Sequence, residues 1–461
     1  MALQDRTQAA DATSMGPSWN PEPPSAEPVV PLQAVPDPAP APAPAPVEAV
    51  DEERVFGLAR PLPAHPERVP DPVIPGVITP VADRQVAFAA PDIDDADIEA
   101  VIGVLMGGWL TSGNEVAALQ AELASYLGAP YVVVVSSATA ALELALTTLD
   151  LRPGARVAVP AWTFAATALA AVHAGTVPVL VDVDADTLNM DPRSLAATLA
   201  TGVDAVVPVH FGGVPVSHWI HDLSRVAGVP VVEDAAHAFG AWDQRGLLWG
   251  KGSTAACFSF YATKNLTCGE GGALATEDAE VARRVRAMRL HGLSADAWAR
   301  YQPGAPPADY DIAEPGIKAN LPDVLAGLAR SQLRRFDQLQ ARRRALVDHY
   351  RARLADVPGL RWVPQEVDPR SAHHLAVIVL PDNVDRRTVQ LAMRDAGVGT
   401  SVHFKPLHRY TWFREHAEVG PTGVATCEAL ADRVLSLPLH PRLTPQDVNY
   451  VCDVLVAQLH R

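Results

Sequence analysis

The chain has 461 residues, enough for two folded domains and a substantial core, and a net charge of −16. So acidic a balance argues against nucleic acid or an anionic membrane as the main partner. Four scattered cysteines exclude a disulfide framework or a zinc site, and no apolar run is long enough to span a membrane.

The first residues lack the basic-then-apolar pattern of a secretory signal, so a cytoplasmic protein is expected. Residues 1–85 read as a disordered extension rich in proline and alanine, with Pro36, Pro38, Pro40, Pro42, Pro44 and Pro46 in alternation. Such sequence favours extended conformations and cannot bury enough apolar surface to fold. From Val86 the texture changes. Asp92 to Met106 has apolar residues at helical spacing (Ile93, Ile98, Ile102, Leu105), and Glu115 to Leu127 is a second helix. Tyr131 to Ser136 is nearly pure valine, as in a strand buried on both faces. A helix opens at Ser137-Ala138-Thr139-Ala140.

Strands are then expected at Arg156–Val159, Pro178–Val183, Ala205–Val209, Val229–Glu233, Ala256–Phe260 and Ala273–Thr276. Helices at Phe164–His173, Pro192–Leu199 and Ser217–Ala227 alternate with them. That alternation predicts an α/β fold whose mostly parallel sheet is sandwiched by helices, with ligands bound beyond the carboxyl ends of the strands. A helix at Thr276–Leu290 ends near Gly292, and a polar loop follows from Ser294 to Pro315. Pro322 to about Leu354 reads as one long helix containing a domain boundary. The expected domains are 86–335, large, and 336–461, a smaller α+β unit. In the latter a strand at Leu375–Leu380, a helix at Arg386–Ala396 and a loop with His403 and His408 precede a last helix opened by Thr444-Pro445.

Four polar segments sit at expected strand ends: Ser136–Ala140, Pro160–Phe164, Asp234–His237 and Phe260–Lys264. Lys264 follows a buried strand, where desolvation lowers an amine's pKa and frees its lone pair for a carbonyl. Alone it reads rather as a solvated loop lysine. Asp234 lies among Val231, Val232, Ala235 and Ala236, where a carboxylate needs a cation or hydrogen-bond donors. It serves either a protonated pyridine nitrogen or the cap of a following helix. Ser137–Ala140, at a strand-to-helix turn, suits a phosphate or an ordinary cap. Phe164 suits ring stacking or core packing, and Ser259 a phosphate contact or a bond within the sheet.

Gly108-Trp109-Leu110-Thr111-Ser112-Gly113, Glu233-Asp234-Ala235-Ala236-His237-Ala238 and Ser259-Phe260-Tyr261 before Thr263-Lys264-Asn265 form an ordered series. Gly269-Glu270-Gly271-Gly272, Leu290-His291-Gly292 and Leu435-Ser436-Leu437-Pro438-Leu439-His440-Pro441 extend it. In this series the chain, from about Val86 to His460, resembles the DegT–StrS sugar aminotransferases, pyridoxal 5'-phosphate enzymes of the aspartate aminotransferase fold type. The resemblance implies that Lys264 is the Schiff-base lysine and that Asp234 keeps the pyridine nitrogen protonated. It implies a phosphate cup at Ala138, Thr139 and Ser259, a stacking ring at Phe164, and His237 beside the phenolic oxygen. Asn320 would cross a homodimer interface to the phosphate, although Asn320 with Asp323 also reads as a helix cap. His403, His408 and Lys318 would face the sugar.

Ala138 replaces the usual glycine of the phosphate turn, Ala262 a common proline, and Ile317 and Ala319 the aromatics beside Lys318. The implied reaction moves an amino group, from glutamate, to a keto-sugar, a nucleotide-linked keto-sugar or a keto-cyclitol in amino-sugar biosynthesis. A dehydratase of this fold carries histidine at the Lys264 position, and a cofactor-binding sensor would bind without turnover.

Overall fold

The structure is a computed structural model and describes residues 84–243, 246–247, 249–294 and 310–459. The extension assigned to 1–85 falls outside the described residues apart from its last two, as does most of the loop 294–315.

The expected strands are present, most of them within two or three residues of the expected ends. They are β1 (Tyr131–Val135), β2 (Arg156–Pro160), β3 (Val177–Val181), β4 (Ala205–Val206) and β5 (Val232–Asp234), then a small hairpin of β6 (Trp242–Asp243) and β7 (Gly246–Leu247), then β8 (Ala255–Ser259) and β9 (Gly272–Thr276). Parallel bridges Val206–Val231 and Val209–Asp234 join β4 to β5. They merge two ladders into one sheet, ordered β3-β2-β4-β5-β8-β9-β1. All its pairs are parallel except those of β9, which runs against both β8 and β1. Helices Ala138–Thr147, Ala165–His173, Pro192–Leu199 and His218–Ala227 are the crossovers. Valine, alanine and leucine from both faces of the sheet are fully buried, as two-sided cover requires.

Beyond residue 336, β10 (Arg361–Val363), β11 (Ala376–Val379) and β13 (Val434–Leu437) form a separate antiparallel sheet. Its core takes Val448, Val451, Cys452 and Leu455 from the last helix, Pro445–Leu459. The short β12 (Glu418–Val419) instead adds to the edge of the large sheet beside β3. Sequence reading missed β10, β12 and β13, which are too short to show a period.

Two expectations are corrected, and the first helix shows a facing that its spacing left open. The segment 322–354 is two helices, Asp323–Arg334 and Phe336–Arg353, with Arg335 between them at φ −114° and ψ 10°. No glycine or proline breaks it; tertiary contacts do. The Arg335 guanidinium is drawn to Asp94 and Asp97, and Phe336 turns into the core so close to Gly240 that a Cβ there would come within 2.6 Å of its ring.

The apolar stripe of the first helix, Asp95–Gly107, faces outward, with Ile98, Ile102 and Leu105 each 51% exposed. Its buried residue is Asp97, held by Arg335 and Gln332. Finally, Asn320 and Asp323 do not cap their own helix, whose N-cap is Pro322. Asp323 caps a different one, Asn114–Leu127, accepting the amides of Gly113 (2.7 Å), Glu115 (3.2 Å) and Val116 (3.0 Å). Gly113 has no side chain to do this, and a Cβ on it would meet Trp109 at 2.4 Å and Asp323 at 2.8 Å. Close packing thus accounts for the last glycine of the Gly108–Gly113 motif.

Candidate active site

The carboxyl ends of β1, β2, β5 and β8 converge on a cavity of about 480 Å³, a size that suits a small cofactor with part of a substrate. All four predicted strand-end segments contribute to its wall, through Ala138 and Thr139, Phe164, Asp234 and His237, and Lys264, and Ser259 joins them. Parallel strands bring residues distant in sequence together at one rim, so Asp234 and Lys264 share the cavity.

Asp234 ends β5 and is buried. Its Oδ2 accepts the Thr167 hydroxyl at 2.7 Å and its Oδ1 the Ala236 amide at 3.1 Å. Thr163 lies 2.7 Å from Thr167; since the Thr167 proton goes to Asp234, Thr163 donates in turn to Thr167. Burial pushes the Asp234 carboxyl up, while Thr167, Ala236 and Lys264 oppose the shift. Among the described residues no salt bridge neutralises it.

Lys264 sits in the turn after β8, its amide bonded to the Tyr261 carbonyl at 2.9 Å. By surface area it is half-buried, because it opens on the cavity, yet the protein packed around it desolvates the ammonium. Burial lowers its pKa to about 8, against the pull of Asp234. Attack on a carbonyl requires the free amine, which this shift makes far more abundant at neutral to mildly alkaline pH than in an ordinary lysine.

The turn after β1 forms the opposite wall. Ser137 caps the helix Ala138–Thr147 by accepting the Ala140 amide at 3.1 Å. The amides of Ala138 and Thr139 precede the first intrahelical bond and lack carbonyl partners four residues back. Alanine is tolerated at 138 because it is the first helical residue, and the turn packs closely against Gly272 on β9. A Cβ on Gly272 would lie 2.5 Å from the Ser137 carbonyl carbon and 2.6 Å from the Ala138 nitrogen. Phe164, 61% exposed, presents its ring to the cavity 5.7 Å from Phe404.

His237 and His403 also line the cavity. Burial, then the charge of Lys264, holds both imidazoles below their ordinary pKa, His403 at about 4. His403 bonds Ser436 at 2.9 Å through Nδ1. The other predicted residues lie outside this wall. His408 pairs with Glu428. Asn320 donates to Ser112 Oγ at 2.7 Å and accepts from Lys318 at 2.5 Å, in a second, smaller recess.

Sequence reading missed Thr163, Thr167, His374 and Phe404. The four-residue spacing of Thr163 and Thr167 at a helix start was a usable signal. Both His374 and Phe404 come from the distant C-terminal part; Phe404 adjoins the predicted His403, and nothing local marks His374.

The model of the DegT/DnrJ/EryC1/StrS aminotransferase family matches residues 91–456. The chain belongs to that family. Members of this aminotransferase family act on sugars and use pyridoxal phosphate, and the chain is an enzyme of that kind. It is 37% identical over 374 residues to the spore coat polysaccharide biosynthesis protein SpsC of Bacillus subtilis (strain 168), covering 80% of this chain and 95% of SpsC. The aminotransferase TlmJ from Streptoalloteichus hindustanus is 31% identical with a TM-score of 0.74, covering 82% of this chain and 99% of TlmJ. Spr1654 from Streptococcus pneumoniae in its PMP form is 29% identical with a TM-score of 0.74, covering 82% and 99%.

The cavity fits the family's cofactor. A buried carboxylate with no salt bridge among the described residues suits a pyridinium, two helix-start amides with no partner among those residues suit a phosphate, and an exposed ring suits stacking. Among the described residues no helix is long and apolar enough to cross a membrane.

Proposed function

We propose that this family member takes an amino group from glutamate and delivers it to the keto carbon of a keto-sugar, a nucleotide-linked keto-sugar or a keto-cyclitol. One observation carries the reading: a depressed-pKa lysine and a buried carboxylate that forms no salt bridge among the described residues share a cavity with a helix start. When bound, pyridoxal phosphate supplies an aldehyde that takes up amines and a ring that withdraws electrons from the reacting carbon.

The chain's own residues do the rest. Lys264 would hold the cofactor through Nζ, and its free amine would move the proton at the substrate's reacting carbon. Asp234 keeps the ring nitrogen protonated, and the Thr163–Thr167 hydroxyls fix its carboxylate. The Ala138 and Thr139 amides with Ser259 would hold the phosphate, Phe164 would stack on the ring, and His237 would steady the phenolic oxygen. His403 faces the sugar side.

We assign Asn320, Lys318 and His408 to a site completed by a second copy of the chain, since none reaches the cavity within one chain. The outward apolar stripe of Ile98, Ile102, Leu105, Met106 and Leu110 supports a homodimer, because so large an exposed apolar face commonly marks an interface. A domain boundary near residue 336 is supported by the separate antiparallel sheet and core beyond it. Four buried free thiols favour the cytoplasm.

The purified protein is expected to show a visible absorbance band that glutamate bleaches and a keto-sugar panel restores. Absence of the band, with no difference in Lys264→Ala, overturns the reading. A band that no amino donor discharges points to a binding protein without turnover.

A further inference from the structure

Two imidazoles in the cavity wall are held in opposite tautomers by their hydrogen bonds. His237 Nδ1 accepts the Gly212 amide at 3.3 Å. A backbone amide only donates, so the ring proton of neutral His237 sits on Nε2. His374 is the reverse. Its Nδ1 lies 2.9 Å from Asn265 Oδ1. The orientation of that side-chain amide is set by its other end, where Asn265 Nδ2 donates to the Ala372 carbonyl at 2.6 Å and to Gln340 at 3.0 Å. The oxygen therefore faces the imidazole, and His374 Nδ1 carries the proton.

His374 Nε2 is left as a bare lone pair. The ring is buried, lines the same cavity as Lys264, and has its centroid 4.4 Å from that of His237. No described group bonds this nitrogen, and it is not enclosed among the partnerless buried atoms, so it opens on the cavity. Burial, reinforced by the neighbouring His237 and Lys264, holds the ring neutral.

We propose that His374 is a specificity-determining residue whose Nε2 accepts a hydrogen bond from a hydroxyl beside the keto carbon of the sugar substrate. Asn265, next to Lys264 in sequence, is its positioning residue and keeps the lone pair aimed inward. The inference rests on the amino-transfer reading above. An acceptor at this point recognises a hydroxyl and penalises its absence, because the buried lone pair then has no partner. That penalty is worth roughly 10- to 100-fold in discrimination.

The test separates the two half-reactions by stopped-flow absorbance: bleaching of the band by glutamate, then its return with a dTDP-4-keto-6-deoxyhexose with or without its 3-hydroxyl. His374→Phe is expected to slow the sugar half at least tenfold more than the glutamate half, and to treat the two sugars nearly alike. His374→Gln, which keeps an acceptor, recovers part of the preference. Nitrogen-15 NMR of the wild-type imidazoles, which needs no turnover, is expected to show His374 protonated on Nδ1 and the Asn265→Leu variant with mixed tautomers. A proton on His374 Nε2, equal losses in both halves, or an unchanged preference in His374→Phe overturns the proposal. Failure of glutamate to bleach the wild type counts against the amino-transfer reading instead, and leaves the tautomer result standing.

Discussion

Glu233 and Asp234 are consecutive on β5 and both are buried, but the two faces of the strand treat their carboxylates oppositely. Glu233 points away from the cavity and meets His210 and His221, each at 2.8 Å, and the Ser253 hydroxyl at 2.6 Å. Burial would raise its carboxyl, but the hydrogen bonds and charges of the two histidines outweigh that and hold it well below the usual carboxylate range. Asp234 faces the cavity with one hydroxyl and one amide, and there burial prevails and its carboxyl is pushed up. An acid whose bonds close within the protein is part of the framework. One that faces open space, hydrogen-bonded by a hydroxyl and an amide and held in no salt bridge among the described residues, is a socket for a cation.

The largest test of this contrast is on the cavity side. Lys264→Ala is expected to abolish the visible band and to lower transamination roughly a thousandfold or more, read by glutamate-dependent formation of 2-oxoglutarate. Asp234→Asn is expected to retain the cofactor while kcat falls about 100- to 1000-fold. Glu233→Gln acts on the framework instead: breaking a buried charged pair costs about 3 kcal/mol, read as a lower midpoint of denaturation.

The pH dependence of stability follows with opposite signs. Glu233 has its folded pKa below the ordinary value of 4.5, so its contribution is complete above that value and is lost as pH falls beneath it. Asp234 has its folded pKa above the ordinary 3.8, so in the cofactor-free protein its contribution is complete below that value and declines as pH rises past it. Acid and neutral melts of Glu233→Gln and Asp234→Asn are expected to lose these opposite slopes. The smallest effect is on Lys264. With a pKa of about 8, capture of pyridoxal phosphate by the cofactor-free protein is expected to rise about tenfold per pH unit below pH 8 and to level off above it, read by stopped-flow absorbance.

The parts legible in the sequence were those with a local cause. A run of four valines, Val132 to Val135, could only be a strand covered on both faces, and the glycines at 269, 271 and 272 marked a tight backbone return. Local pattern misled where distant partners intervened. The isoleucines of 93–105 have the period of a core helix yet face outward, while Asp97 on the same helix is buried against Arg335. The run 322–354 consists of good helix formers, and its break at Arg335 comes from acids some 240 residues earlier.

By itself the sequence determined the alternation of strands and helices, and therefore that Ser137–Ala140, Asp234 and Lys264 stand at strand ends. That follows because side-chain period and turn chemistry are local. Only the tertiary structure decided that His210, His221 and Ser253 close off Glu233 on the other face of the strand, and that His374 joins the cavity with its acceptor inward. Those outcomes depend on what packs against each face from elsewhere in the chain, and no local pattern encodes that.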